Sequence, residues 1–172
     1  KTTGGSYSYY PTTGNKTIYG GNGNDFLHGS SGTNIIYGES GDDEIYTLGG
    51  NDKLFGGDGN DYLSSGDGDD QLDGGDGNDS LVGGKNNDTL LGGNGNDTLN
   101  AYEDMGTSWD TSRSSSTDFL FGGDGNDYYI LNSSRDNVIE DSSAGSGYDT
   151  VYAWFDYSLT DNVEVLQITG SF

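Results

Sequence analysis

Aspartate is the residue type that could do chemistry in this sequence, and it recurs at a fixed spacing. Asp25, Asp43, Asp52, Asp61, Asp70, Asp79, Asp88 and Asp97 lie at multiples of nine from one another, and Asp118 and Asp127 resume the step after a gap. Around them the chain repeats G-G-x-G-x-D-x-U-x, with U a large apolar residue. GGNGNDFLH from Gly20, GGDGNDYLS from Gly56 and GGDGNDSLV from Gly74 are good copies, and TLGGNDKLF from Thr47 and GGKNNDTLL from Gly83 are poorer ones. With 29 Asp+Glu against 6 Lys+Arg and a net charge of -23, the sequence points to a cation as partner. It points away from nucleic acid and anionic membranes, both of which recruit basic patches. There is no cysteine to supply a thiolate, and one His argues against an imidazole-rich zinc or copper site.

Composition alone would suggest disorder. Hydrophobic residues make up 29%, and 32 of 172 residues are Gly, too little apolar surface for an ordinary core. The eighth position of the repeat overturns that expectation. It holds Ile18, Leu27, Ile36, Ile45, Leu54, Leu63, Leu72, Leu81, Leu90 and Leu99, then Leu120, Tyr129 and Val138. A disordered linker has no reason to place a large apolar residue every nine positions, whereas a stack of coils does. The first six residues of each repeat suit a turn and the last three a short strand with its middle side chain inward. Two repeats then make one coil of 18 residues, with a strand on each side and a turn at each end.

The repeat resembles that of the RTX (repeats-in-toxin) family of type I-secreted bacterial proteins, and the likeness covers nearly the whole chain. It implies an all-β fold: a right-handed parallel β-roll, or two-sheet solenoid, with calcium-binding turns and a C-terminal β cap. In that family each Ca²⁺ lies between a repeat and the repeat two places later, held by turn carbonyls and two sixth-position aspartates. Ca²⁺ takes 6–8 oxygen ligands, and glycine turns can aim carbonyls inward.

Carried onto this chain, the resemblance pairs Asp25 with Asp43, Asp43 with Asp61, Asp61 with Asp79, and Asp79 with Asp97. On the other edge it pairs Asp52 with Asp70 and Asp70 with Asp88, while Asp97 reaches Asp127 across the gap. Asn34–Asp52 and Asp88–Asp118 are weaker candidates. The turn residues implied are Gly21, Gly23, Gly38, Ser40, Gly41, Gly50, Gly56, Gly57, Asp58, Gly59, Ser65 and Gly66. They continue through Asp67, Gly68, Gly74, Gly75, Asp76, Gly77, Gly83, Lys85, Gly92, Gly93, Asn94, Gly95, Gly122 and Asp124. Interior aspartates would bridge two ions, one per oxygen. About seven to nine Ca²⁺ follow, and seven would take the charge from -23 to about -9. Without them the carboxylates repel across a thin core, so metal binding and folding are expected to be one event, triggered by export.

Three regions depart from the pattern. Residues 1–19 read as N-terminal cap strands, with Lys16 where the aspartate should stand. Within the roll of residues 20–139, an insertion over 101–117 carries Trp109 and Arg113 and reads as a tolerated surface loop. Residues 140–172 read as a capping segment, with Tyr148, Trp154, Phe155 and Tyr157 as its core and a trace of coordination near Asp149.

Nothing indicates an enzyme. There is no HExxH motif and no G-x-S-x-G elbow, and His28 falls at an outward ninth position with no partner nearby. Asp67-Gly68-Asp69-Asp70 lacks the later Glu and flanking helices of an EF-hand, and Asn78-Asp79-Ser80 arises from the repeat and not from glycosylation. Starting at Lys1 and stopping at Phe172, the chain reads as a piece of something longer. The resemblance implies a secreted, non-catalytic module covalently attached to a parent domain, inserted in no membrane. A second reading makes it a polysaccharide- or surface-binding accessory module, like the repeat modules of alginate epimerases or adhesins. Few basic residues, chiefly Lys53, Lys85, Arg113 and Arg135, stand against it.

Overall fold

The computed structural model describes residues 8–9, 13–102, 116–140, 147–159 and 161–168. Trp109 and Arg113, and with them the reading of the 101–117 loop, lie outside the described residues.

Alternation of an inward apolar residue with outward polar ones, broken by glycine-rich turns, gives sixteen short strands and, among the described residues, no helix. β2 (Lys16–Asn22), β4 (Asn34–Ser40), β6 (Lys53–Asp58), β8 (Gln71–Asp76), β10 (Thr89–Asn94), β12 (Phe119–Asp124) and β14 (Asn137–Ile139) form a seven-stranded sheet. The second sheet has nine strands. These are β1 (Ser8–Tyr9), β3 (Phe26–His28), β5 (Glu44–Tyr46), β7 (Tyr62–Asp67), β9 (Ser80–Lys85), β11 (Thr98–Asn100), β13 (Tyr128–Ile130), β15 (Thr150–Ala153) and β16 (Val165–Ile168). The chain alternates between the sheets from β1 to β15, β16 then adding to the second sheet, and every ladder is parallel. This is a β-roll with a coil of 18 residues, as the pairs Ile36↔Leu54, Leu54↔Leu72 and Ile45↔Leu63 set out.

The core is a single column of eighth-position side chains. Ile36, Leu54, Leu72, Leu90 and Leu120 from one sheet meet Ile45, Leu63, Leu81, Leu99 and Tyr129 from the other, all at 0% exposure. Each covers the residue one coil below and so offsets the chain entropy that no isolated repeat could overcome. The insertion leaves the register intact, because Leu90 pairs with Leu120 and Leu99 with Tyr129.

The ladder runs on through Tyr129↔Val151 and Val151↔Leu166, and Phe155, Tyr157 and Leu166 pack against the end of the core. Trp154 meets Tyr102 edge to face at 5.4 Å. Tyr148 departs from its expected place in the cap core: it is 59% exposed. Its amide is tied to Asn126 Oδ1 at 2.8 Å, which holds the backbone on the turn row and leaves the ring outside.

Outward ninth positions form ladders of their own. Tyr19, Tyr37 and Phe55 stack at 5.0 and 4.8 Å with nearly parallel planes, so each ring face is covered by the next. His28 is not isolated, as its position had suggested: it stacks on Tyr46 at 5.4 Å and lies tilted to Phe26.

Candidate metal centres along the two turn rows

The parallel register that stacks the leucines also stacks the turns, and it aligns the sixth-position aspartates in two rows. The first row precedes the strands of the nine-stranded sheet and holds Asp25, Asp43, Asp61, Asp79, Asp97, Asp127 and Asp149. The second precedes those of the seven-stranded sheet and holds Asn34, Asp52, Asp70, Asp88, Asp118 and Asp136.

In each row the amide of one aspartate donates to Oδ1 of its counterpart in the next coil. The distances are 2.7 Å for Asp25 to Asp43 and for Asp43 to Asp61, and 2.8 Å for Asp61 to Asp79 and for Asp79 to Asp97. In the second row Asp52 reaches Asp70 at 2.7 Å and Asp70 reaches Asp88 at 3.0 Å. Across the insertion Asp97 reaches Asp127 and Asp88 reaches Asp118, both at 2.8 Å. All the aspartate pairs read from the sequence are therefore brought together.

The other oxygen is the telling one. Oδ2 of Asp43, Asp61, Asp79, Asp97, Asp127 and Asp149 in the first row, and of Asp52, Asp70 and Asp88 in the second, is buried and accepts no hydrogen bond. A buried carboxylate oxygen without a donor carries a desolvation cost of several kcal/mol unless a cation meets it. Burial raises these carboxyls accordingly: Asp43, Asp61, Asp70, Asp79 and Asp127 to about 6, Asp97 to about 7 and Asp88 to about 8. Neighbouring carboxylates add to the rise at Asp43 and Asp88, and the amide bonds to Oδ1 pull it partly back.

Glycine carbonyls of the next coil face the same oxygens. A Cβ at Gly20 would lie 2.7 Å from Asp25 Oδ2 and 2.7 Å from the Gly38 carbonyl. Equivalent gaps join Gly38, Asp43 and Gly56; Gly56, Asp61 and Gly74; Gly74, Asp79 and Gly92; and Gly92, Asp97 and Gly122. In the second row a Cβ at Gly83 would lie 2.6 Å from Asp88 Oδ2. Carbonyl oxygen beside bare carboxylate oxygen is a donor set for a hard divalent cation, so the residues present fit Ca²⁺.

The other turn positions have distinct tasks. The third-position carbonyls of Ser40, Asp58, Asp67, Asp76, Lys85, Asn94 and Asp124 accept amides of the preceding coil, Gly23 to Ser40 at 2.7 Å and Gly68 to Lys85 at 3.1 Å being two cases. Gly57 and Gly59 are left-handed, with φ of 119° and 131°, and a Cβ on either would strike the carbonyl of Glu39 or Gly41. Gly21, Gly23, Gly41, Gly50, Gly66, Gly75, Gly77, Gly93 and Gly95 occupy equivalent left-handed turn places, whereas Gly68 does not.

At both ends of the second row, side-chain and amide donors meet the carboxylate oxygens. Asn34 donates its Nδ2 to Asp52 Oδ1 at 2.9 Å, to the Ser30 carbonyl at 3.0 Å and to the Gly32 carbonyl. At the far end Asp118 Oδ2 accepts the Ser116 hydroxyl at 3.3 Å, and Asp136 Oδ2 accepts the amides of Asn132 and Ser133 at 3.1 and 2.9 Å. Between them, Thr47 and Ser65 replace the first glycine and donate to the carbonyls of Ser65 and Gly83 at 2.7 and 2.6 Å.

One set of residues escaped the sequence reading. Fifth-position side chains form an outer ladder in which Asp42 accepts the amide of Asn60 at 2.8 Å, and Asn60, Asn78 and Asn96 accept the next amide at 2.9 Å each. The recurrence of Asn or Asp at this position, at Asn24, Asp42, Asn60, Asn78, Asn96 and Asn126, was the available signal.

The RTX calcium-binding nonapeptide repeat matches the chain four times, over residues 10–45, 37–72, 64–99 and 114–138. The chain belongs to this RTX repeat family. No curated protein matches it. RTX repeats form structural calcium-binding modules, and the family's members are typically secreted through type I exporters and found outside the cell.

Proposed function

We propose that this RTX roll is a non-catalytic calcium-folded module, which orders on leaving the cell and stabilises a domain covalently attached to it. The observation that carries the proposal is the set of buried Oδ2 atoms without donors, aligned in rows beside glycine carbonyls. Seven ions lie between Asp25–Asp43, Asp43–Asp61, Asp61–Asp79, Asp79–Asp97, Asp97–Asp127, Asp52–Asp70 and Asp70–Asp88. The oxygen of each interior aspartate that faces the glycine carbonyl is the principal ligand, since Oδ1 already holds an amide. Residues 20–139 form the calcium roll and 140–172 its cap. Because extracellular calcium modules work at about 10⁻⁴–10⁻³ M, the cytosol would leave the chain open and the exterior would close it.

Equilibrium dialysis against calcium tests the assignment. Uptake of seven to nine ions per chain supports it, and uptake of two or fewer contradicts it. The role in export is tested by fusing a passenger to the roll in a cell with a type I exporter and measuring active passenger outside with and without calcium. The polysaccharide reading has less support, because the outward rings of Tyr19, Tyr37 and Phe55, the last two half-buried, stack on one another and offer edges to a sugar.

A further inference from the structure

The first turn row ends on a residue that breaks the repeat. Phe121 pairs with Ile139, so the next residue, Glu140, aligns with Gly122 and occupies the place of the repeat's first glycine. Elsewhere in the row that place lends a backbone carbonyl to the Oδ2 of the coil before. Here it bears a carboxylate. Ligand oxygens of Asp127, Glu140 and Asp149 lie within 4.8 Å of one another, the only such trio among the described residues.

Three acidic groups alone would not make a site, but two further observations point to a ligand. Asp127 and Asp149 are both 0% exposed, and Oδ2 of each accepts no hydrogen bond. Their other contacts also hold the group in place: Asp127 donates its amide to Asp149 Oδ1 at 2.9 Å, and Asp149 donates its own to Glu164 Oε2 at 2.8 Å. The Tyr129 hydroxyl, reaching out from the core column, donates to Glu140 Oε1.

We infer that Asp127, Glu140 and Asp149 form a terminal calcium site of a different kind from the repeat turns, with the Glu140 side chain adding a carboxylate where the repeat has glycine, while its carbonyl accepts Asn162 Nδ2 at 3.5 Å. The inference rests on the calcium reading of the rows above. Oxygens on one coordination sphere at about 2.4 Å from calcium can lie at most about 4.8 Å apart, so these three can meet a single calcium ion. Three carboxylates give this site more charge than the two of a repeat turn, and calcium affinity rises with ligand charge, so it fills at lower calcium than the others.

The test uses calcium alone and the whole chain. Equilibrium dialysis of wild type, Glu140→Gln and Glu140→Ala is run beside Asp156→Asn, an exposed acid that controls for loss of charge. Circular dichroism in saturating calcium verifies that each variant folds. Both Glu140 variants are expected to bind one ion fewer than wild type, the missing ion being the first to bind, while Asp156→Asn keeps the full count. Equal counts and affinities for wild type and both Glu140 variants would overturn this site alone. A wild-type chain that takes up no calcium contradicts the repeat-turn reading as well, so the two failures are distinguishable.

Discussion

The amide of Asp97 donates to Asp127 Oδ1 at 2.8 Å although thirty residues separate the two in sequence. Asp79 makes the same bond to Asp97 at 2.8 Å across eighteen. The roll therefore counts coils and not residues: an insertion between turns is one step if the strands on either side keep their partners.

Removing the excess should then leave the function alone. Deleting residues 104–115 brings the thirty-residue step back to eighteen. The shortened chain should bind the same number of ions, with stability in calcium raised by less than about 1 kcal/mol, since loop closure depends weakly on length. Loss of ions on deletion would mean that the segment supplies ligands.

Charge inside the row should matter far more than charge beside it. Asp61 holds the Asp43 amide on Oδ1 at 2.7 Å and has a bare Oδ2, whereas Asp42 is an exposed rung of the outer ladder whose carboxyl its Asn60 bonds hold below the usual value. Asp61→Asn should weaken the two ions it shares and raise the calcium midpoint several-fold. Asp42→Asn should shift stability by no more than about 0.5 kcal/mol. In EDTA the order reverses, and Asp61→Asn should favour the rolled form by removing a buried charge. Calcium titrations of both variants read all of these outcomes.

Asn34 offers the converse experiment. Its amide already answers Asp52 Oδ1 and the Ser30 and Gly32 carbonyls. Asn34→Asp turns that donor into a second carboxylate facing Asp52. The variant should take up one additional ion in calcium, and without calcium the added carboxylate should disfavour the rolled form further, as it leaves buried charge uncompensated. An unchanged ion count would show that Asn34 does not stand where a cation would.

Without metal, pH should act through the same carboxyls. Burial raises Asp43, Asp61, Asp70, Asp79 and Asp127 from 3.8 to about 6, Asp97 to about 7 and Asp88 to about 8. The folded form thus binds more protons than the unfolded one between pH 3.8 and about 8. The stability these groups contribute is present below pH 3.8 and lost as pH rises through 6 to 8. In EDTA, β-structure should therefore appear on acidification and vanish at pH 8, while in calcium the dependence should reverse as protons compete with the ion.

The sequence disclosed the roll because two signals agreed. The eighth-position column from Leu27 to Val138 set the coil, and the aspartates set the rows. It was less informative where a residue type hides its task. Asn34 reads as a weak aspartate until its Nδ2 contacts are seen. Thr47 and Ser65 read as imperfect glycines, though their hydroxyls reach the next coil. Glu140 reads as the first residue of a cap, and only the Phe121↔Ile139 pairing places it in the turn row. Tyr148 was misjudged because aromatic content says nothing about which side of the backbone a ring takes; its amide contact to Asn126 decides that.

The central claim is that calcium binding and folding are one event. Far-UV circular dichroism of the whole chain, titrated from EDTA into calcium at pH 7.5, tests it most directly. A single cooperative transition from coil to β-sheet, with its midpoint at about 10⁻⁴–10⁻³ M calcium, is the predicted result. The same spectrum in EDTA as in calcium, or a chain still disordered at about 10 mM calcium, would contradict it.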